Sequence, residues 1–263
     1  MGYDDNLVPP LLVSTPEGLF ASDNRFGDVK GKDGVPEIAV GRLPVVTAQE
    51  LRAYIDKISA YEAAGGEWTG RVIMLADNPD NGGNFPGDSS YLATLAQGYS
   101  VGEIYLADFP TADDARQRVL EEFNRGAALV NYTGHAGLDR LAAEGMLMTG
   151  DVSSLQNGDR LPVITALTCV VGRFAIPGFQ TLSESLVLKG NGGAAAVWAP
   201  TGASYNNMST LLAEKFFKAV FKTRAKNLGD ALLNAMKDFA TVGGDTVTLN
   251  MYNLLGDPAL EIK

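Results

Sequence analysis

The sequence predicts a three-layer α/β sandwich, a mostly parallel central sheet with helices on both faces. Short apolar runs alternate along the chain with longer stretches whose apolar residues recur at helical spacing. The runs are continuous rather than alternating in polarity, the pattern of strands covered on both faces. Strand–helix–strand alternation then calls for parallel pairing with right-handed crossovers. The 263 residues suffice for one large domain, or for a domain with a smaller lobe.

Taken in order, strands are expected at residues 10–13, 37–40, 72–76, 103–106, 127–132, 163–167 and 194–198. The helices have readable ends. Thr47-Ala-Gln-Glu50 is a capping box, in which each end residue satisfies the other's orphan N–H. Leu51, Tyr54, Ile55, Ile58 and Tyr61 mark its buried face, and Gly65-Gly66 ends it. Thr111 opens a second helix, with Ala115, Val119 and Phe123 in line and Gly126 beyond. A third covers roughly 206–221, and Leu228, Leu232, Ala235, Met236 and Phe239 trace a fourth.

Composition excludes several functions. The formal net charge of −10 lacks the basic footprint of a nucleic-acid partner. It serves solubility or, more specifically, attracts basic substrates. One Cys and one His rule out an internal disulfide and a zinc site built from those ligands. No run of about 18 apolar residues exists, so no membrane span is expected. The start, Met1-Gly2-Tyr3-Asp4-Asp5, is polar and acidic, unlike a signal peptide. The chain therefore reads as a piece of a longer precursor.

In parallel sheets, ligands bind outside the carboxyl ends of the strands. Two strand ends stand out there. Residues 127–132 run into Thr133-Gly134-His135-Ala136-Gly137, and residues 163–167 run into Thr168-Cys169-Val170-Val171-Gly172. The only His and the only Cys thus occupy the two places where such a sheet carries its chemistry. Separately, each has a bland reading, a small buried hydrophobe and a structural imidazole. Together they suit a thiolate nucleophile with an acid–base partner. The backbone N–H groups of Cys169 and Ala136 are the natural donors to an oxyanion. Papain-like enzymes place Cys early and His downstream; here His comes first, the caspase order, although the local caspase signature is missing. No G-x-S-x-G elbow is present.

These residues also resemble a known family. Asn131-Tyr132-Thr133-Gly134-His135 resembles the His motif of gingipain-type cysteine peptidases. Thr168-Cys169-Val170, with Gly172 and Phe174, resembles their Cys motif. Val40-Gly41-Arg42-Leu43-Pro44 resembles the segment leading into their catalytic domain, and Asn253-Leu-Leu-Gly-Asp-Pro258 the turn that closes it. The resemblance covers nearly the whole chain. It implies a caspase-like fold, a catalytic dyad of His135 and Cys169, and oxyanion donors at Ala136 and Cys169. The family often has Gly directly after His, where this chain has Ala136. The resemblance also implies a secreted or surface endopeptidase matured from a precursor, cleaving a peptide or protein substrate. Residues 1–66 are then an N-terminal lobe segment leading into a catalytic domain at 67–263.

Arginine-specific members carry an acidic residue at the base of the pocket for the substrate residue on the amino side of the cleaved bond (P1; its pocket, S1). The resemblance brings that role to Asp88, for an Arg or Lys guest; its other reading is the N-cap of a helix starting near Ser89. Residues 199–205 correspond to the pocket wall, with Thr201 and Tyr205 as lining, and Tyr205 either stacks on a flat P1 side chain or is a surface aromatic. Asp77 either orients His135 or simply begins its loop. No cofactor is required. The resemblance puts residues 28–37 where relatives often show a D-x-D-G-D-G run suited to calcium, but Lys30 and Lys32 replace the intervening carboxylates, so calcium is not expected there. A calcium ion in another acidic loop, such as 77–88, stays open. Two other functions remain: a catalytically inactive caspase-like binding or scaffolding module, and a cysteine hydrolase acting on non-peptides.

Overall fold

The continuous apolar runs become the interior of one sheet. The computed structural model describes residues 7–31 and 33–263, so that residues 1–6 and Lys32 lie outside it. In chain order the elements are β1 (Leu12–Thr15), β2 (Gly18–Ala21), α1 (Asn24–Gly27), β3 (Gly41–Arg42), α2 (Ala48–Ala63), β4 (Arg71–Ala76), α3 (Phe85–Ala93), β5 (Ser100–Tyr105), α4 (Ala112–Arg125), β6 (Leu129–Thr133), β7 (Arg140–Leu141), β8 (Leu147–Met148), β9 (Val163–Leu167), α5 (Leu182–Leu188), β10 (Ala196–Pro200), α6 (Asn206–Phe217), α7 (Leu228–Thr241), α8 (Thr246–Met251) and β11 (Tyr252–Leu255). A π-helical turn, Lys218–Lys222, extends α6.

The main sheet has the order β3-β11-β10-β9-β6-β4-β5. Strands β5, β4, β6, β9 and β10 are parallel, β11 is antiparallel to β10, and β3 pairs parallel with β11. Strand order reverses direction once: β4 connects outward to β5, and the chain then returns across the sheet to β6, β9 and β10. Right-handed crossovers therefore put α3 on one face and α4 and α5 on the other. Helix α6 joins α3, with α7 against α6, and α2 packs on α5. Strands β6, β9, β10 and β11 are buried along their whole length. Among the described residues no helix is long and apolar enough to cross a membrane.

A buried polar ladder pins the register that matters most. The Thr165 hydroxyl donates to Asn131 Oδ1 at 2.7 Å, and Asn131 Nδ2 donates to Thr133 Oγ1 at 3.1 Å. All three residues are fully buried. A slip of β9 against β6 would strand these groups without partners, so one register is selected.

Several sequence expectations need correction. Residues 37–40 form no strand; the N–H groups of Glu37 and Ile38 donate to the Gly27 carbonyl, and Ile38 is 55% exposed. The sheet's short edge strand lies just beyond, at β3. The expected strand at 10–13 is shifted and belongs to a separate β1–β2 hairpin. Residues 253–255, read as part of a closing turn, belong to β11 inside the sheet. Periodicity cannot tell a four-residue buried strand from other short apolar runs. Helix α3 starts at Phe85, capped by the Asn84 side chain with Pro86 in its first turn. Asp88 is therefore not its N-cap. Helix α5 was missed although Thr181-Leu-Ser-Glu184 is a complete capping box. Strand β3 and helix α2 lie before residue 66 yet belong to the layers of the sandwich.

Candidate active site

Four parallel strands, β4, β6, β9 and β10, deliver their carboxyl ends to one edge of the sheet. Ala76, Thr133 and Leu167 stand in one row of the ladder. The row continues one step: the N–H of Asp77 donates to Thr133 O at 3.0 Å, and that of Gly134 to Leu167 O at 3.1 Å. His135 and Cys169 each follow two residues beyond that paired row on neighbouring strands. Both side chains thus leave the sheet at the same level.

The backbone of His135 is held tightly. Its N–H donates to Asp77 Oδ2 at 3.1 Å, and its carbonyl accepts from the Tyr132 hydroxyl and from the N–H of Ala142 at 2.9 Å. Gly134 makes this possible. Its φ is +154°, and a Cβ there would lie 2.3 Å from Asp77 Cβ and 2.6 Å from the Tyr132 oxygen. Asp77 is buried, which raises its carboxyl above the usual range, against the backbone N–H groups of Asn78 and His135 that lower it.

The imidazole has a different partner. Nε2 of His135 lies 2.9 Å from Asp80 Oδ2, and the two side chains are 53% and 48% exposed. The N–H of Gly82 at 2.7 Å, and His135 beside it, hold the Asp80 carboxyl below its usual range. The Phe85 ring meets the imidazole edge-on, with centroids 5.2 Å apart at 82°. A carboxylate on Nε2 fixes a proton there and leaves Nδ1 as the ring nitrogen free for proton transfer.

Cys169 is half-buried, with its thiol 3.6 Å from the Ser204 carbonyl in the loop after β10. The next residue, Val170, has φ +46°, a strained conformation for a β-branched residue. That turn is tied down by Val170 N–H to Gly202 O and Gly172 N–H to Pro200 O, both at 3.0 Å. Beneath it lies buried Tyr252, whose hydroxyl is 3.3 Å from Ser204 Oγ. Burial pushes its phenol up to about 12, so it stays protonated. Among the described residues no acceptor engages the N–H of Ala136 or of Cys169.

The chain matches the model of peptidase family C25 over residues 1–263. It belongs to that family. Two curated relatives are gingipain R2 of Porphyromonas gingivalis (strain ATCC 33277) and gingipain R1 of Porphyromonas gingivalis. Each is 27% identical over 267 residues, covering 92% of this chain but 35% and 26% of the relatives. The chain thus spans about a third or less of their length. Among solved structures, the Arg-specific cysteine proteinase gingipain R superposes with a TM-score of 0.85 at 23% identity, covering 97% of this chain and 62% of that one. A complex of the pro- and mature domains of a Porphyromonas gingivalis gingipain gives 0.85 at 22% identity, over 97% and 63%. The C25 chain has the caspase-like α/β sandwich that the resemblance implies.

The remaining predicted residues separate into two groups. Asp88, in the first turn of α3, and Tyr205, in the loop after β10, sit on elements flanking the site. Asp88 Oδ2 accepts from Asn206 Nδ2 at 2.6 Å. Tyr205 is 63% exposed and donates its hydroxyl to Glu17 Oε1 at 2.8 Å. Thr201 differs: it is fully buried, and its hydroxyl donates to the Ala21 carbonyl at 2.6 Å, so its side chain lines no surface pocket. Asp77 touches the backbone of His135 and not its ring. In the 28–37 loop, Asp28, Asp33 and Glu37 accept backbone N–H groups. Among the described residues, no group of three or more His, Cys, Asp or Glu could hold a metal ion.

Asp80, Tyr132, Ser204 and Asn206 were not singled out as site residues from sequence. The Asp80-Asn-Gly-Gly83 run carried a turn signal, since Asp accepts from a backbone N–H two residues on. Ser204 acts through its carbonyl, which no residue type announces.

Proposed function

We propose that this C25 chain is a cysteine endopeptidase unit in which Cys169 is the nucleophile and His135 its acid–base partner. The observation supporting this most is the shared ladder row, from which both residues emerge at equal height on adjacent strands. Nδ1 of His135 takes the proton of the Cys169 thiol, and the resulting thiolate attacks the scissile carbonyl and forms an Sγ–C bond. Negative charge passes to the carbonyl oxygen, where the unengaged N–H groups of Ala136 and Cys169 receive it. His135 gives its Nδ1 proton to the leaving amine as the C–N bond breaks. Neutral Nδ1 then takes a proton from water, which adds to the acyl group and releases the acid and the sulfur.

Specificity in this reading is for Arg or Lys at P1, with the Asp88 carboxylate as the counter-charge and the exposed face of Tyr205 beside it. The longer relatives fit a chain that acts as part of a larger protein. The test is a panel of fluorogenic peptides with wild type and Cys169→Ala. Cleavage after basic residues, lost in the variant, is expected. No cleavage by wild type, or equal cleavage by the variant, refutes the assignment.

One observation favours the alternative of an inactive binding module. The Cys169 thiol donates to the Ser204 carbonyl at 3.6 Å, so its S–H is turned to an acceptor of the protein rather than to His135. Iodoacetamide separates the readings: a working nucleophile alkylates fast at neutral pH, and an inert thiol slowly.

A further inference from the structure

Between the β1–β2 hairpin and the chain just after Cys169 lies an open cavity of about 290 Å³, with Leu19, Phe20, Arg173, Ile176 and Pro177 in its walls. Shared contacts fix its place beside the nucleophile. The Thr201 hydroxyl donates to Ala21 O, and a Cβ on Gly202 would lie 2.8 Å from Phe20 Cγ, so the hairpin packs directly on the loop after β10. That same loop accepts the Val170 N–H at Gly202 O and meets the Cys169 thiol at Ser204 O. The N–H of Arg173 donates to Val170 O at 3.0 Å and closes a turn. The Cα atoms of Arg173 and Cys169 are therefore at most about 11 Å apart, one Cα step plus the span of a turn.

The walls carry one charged side chain, and it is positive. The Arg173 guanidinium lies over the Phe20 ring, 4.8 Å from its centroid. Among the described residues no carboxylate or carbonyl accepts from that side chain. The ring attracts the charge but leaves the N–H fork without an oxygen acceptor. The chain as a whole has a net charge of −10, so a cation without an acid partner, one turn from the nucleophile, stands apart from its surroundings. The other walls are apolar, and Leu19 is 57% exposed.

We propose that this cavity is a substrate subsite, separate from the P1 pocket, that takes an acidic side chain, glutamate above all. The proposal rests on the endopeptidase reading above. A glutamate guest lays its methylenes on Phe20 and Ile176 and sets its carboxylate on the guanidinium through two parallel hydrogen bonds, the geometry that suits both groups. An extended peptide advances about 3.3 Å per residue, so the subsite falls to a residue about two to four positions from the cleaved bond. Glutamine fills the same space without the charge-assisted bonds, so the acid is preferred to its amide.

The test uses matched peptides with a basic P1, each carrying Glu or Gln at one position other than P1. kcat/KM is measured for wild type, Arg173→Met and Leu19→Asp, and the Glu/Gln ratio at each position is read rather than the absolute rate. One position is expected to favour Glu by about threefold to tenfold, and by less at high salt. Arg173→Met should abolish that preference. Leu19→Asp keeps the guanidinium but adds a competing carboxylate to an exposed wall of the cavity, and should weaken or reverse the preference; it guards against a folding defect specific to Arg173→Met. The same peptide pairs are titrated against Cys169→Ala, with and without Arg173→Met, by fluorescence anisotropy, so that the subsite is also read without cleavage. No preference for Glu at any position, or a preference that survives both cavity variants, overturns the inference. If wild type cleaves no peptide but Cys169→Ala binds the Glu peptide more tightly through Arg173, the endopeptidase reading fails and the acidic subsite stands.

Discussion

The Asp80 carboxylate lies 2.9 Å from Nε2 of His135, whereas Asp77, three residues earlier in the same loop, reaches the backbone of that histidine. One loop therefore supplies two carboxylates with separate tasks. The buried one fixes where the histidine sits, and the exposed one fixes how its ring is turned.

Removing the exposed partner should affect turnover more than folding. Asp80→Ala frees the ring to rotate about χ1 and χ2, with Phe85 as its remaining edge contact. We expect kcat to fall by up to about a hundredfold, the scale of a misplaced reacting group, with the unfolding midpoint nearly unchanged. Asp80 ionises at lower pH in the folded chain than when free, so its contact with His135 persists above the ordinary carboxylate range and is lost as pH falls through the lowered value. A wild-type acid limb in the pH–rate profile that Asp80→Ala leaves unmoved would count against this role.

The buried partner should matter for stability. Asp77 accepts N–H groups on both oxygens, from Asn78 and from His135. Asp77→Asn turns one acceptor into a donor facing a donor, which costs about 1–3 kcal/mol in urea titration. The pH dependence has a definite sign. The folded value is raised above the unfolded one, so between the two the folded chain holds a proton that the unfolded chain has lost. Stability therefore falls as pH rises through that window, and the step should vanish in Asp77→Asn.

Gly134→Ala tests the close packing beneath the histidine. The added methyl would meet Asp77 Cβ at 2.3 Å and the Tyr132 oxygen at 2.6 Å, in a backbone conformation that L residues rarely adopt. We expect destabilisation of about 1–3 kcal/mol from overpacking, with turnover lost alongside, because the same shift moves His135. A variant of wild-type stability and rate would show that the backbone there has room.

Far from the site, Lys57 on α2 donates its buried ammonium to the carbonyls of Val187 in the last turn of α5, of Lys189 just after it, and of Ala194 shortly before β10. Burial lowers its ionisation to about 7 from 10.5. From about 7 upward the unfolded chain holds this proton and the folded chain does not, so stability rises with pH until the unfolded lysine also titrates. The slope is at most about 1.4 kcal/mol per pH unit. Denaturation at pH 7.5 and 9.5 should show that gain in wild type and not in Lys57→Met.

Much of the fold was legible because its signals are local. Thr47 with Glu50, and Thr111 before its acidic first turn, cap the helices that the sequence predicts. Strands β4, β6 and β9 coincide closely with continuous apolar runs. Strand β11 was not legible, because four buried residues carry no period. The β1–β2 hairpin was hidden behind a strand expected in the main sheet. In the site, His135 and Cys169 could be singled out as the sole members of their types at strand ends. Asp80, Ser204 and Asn206 could not, since each acts through a contact made across the fold.

The sequence by itself determined the sandwich and the two strand ends that carry sulfur and imidazole, because hydrophobic period and capping chemistry are properties of neighbouring residues. The tertiary structure decided which carboxylate faces the imidazole ring, which carbonyl meets the thiol, and that Thr201 is buried away from the cleft. Those outcomes depend on how loops from four different strands approach one another, and distance between loops is not encoded in the spacing of residues along any one of them.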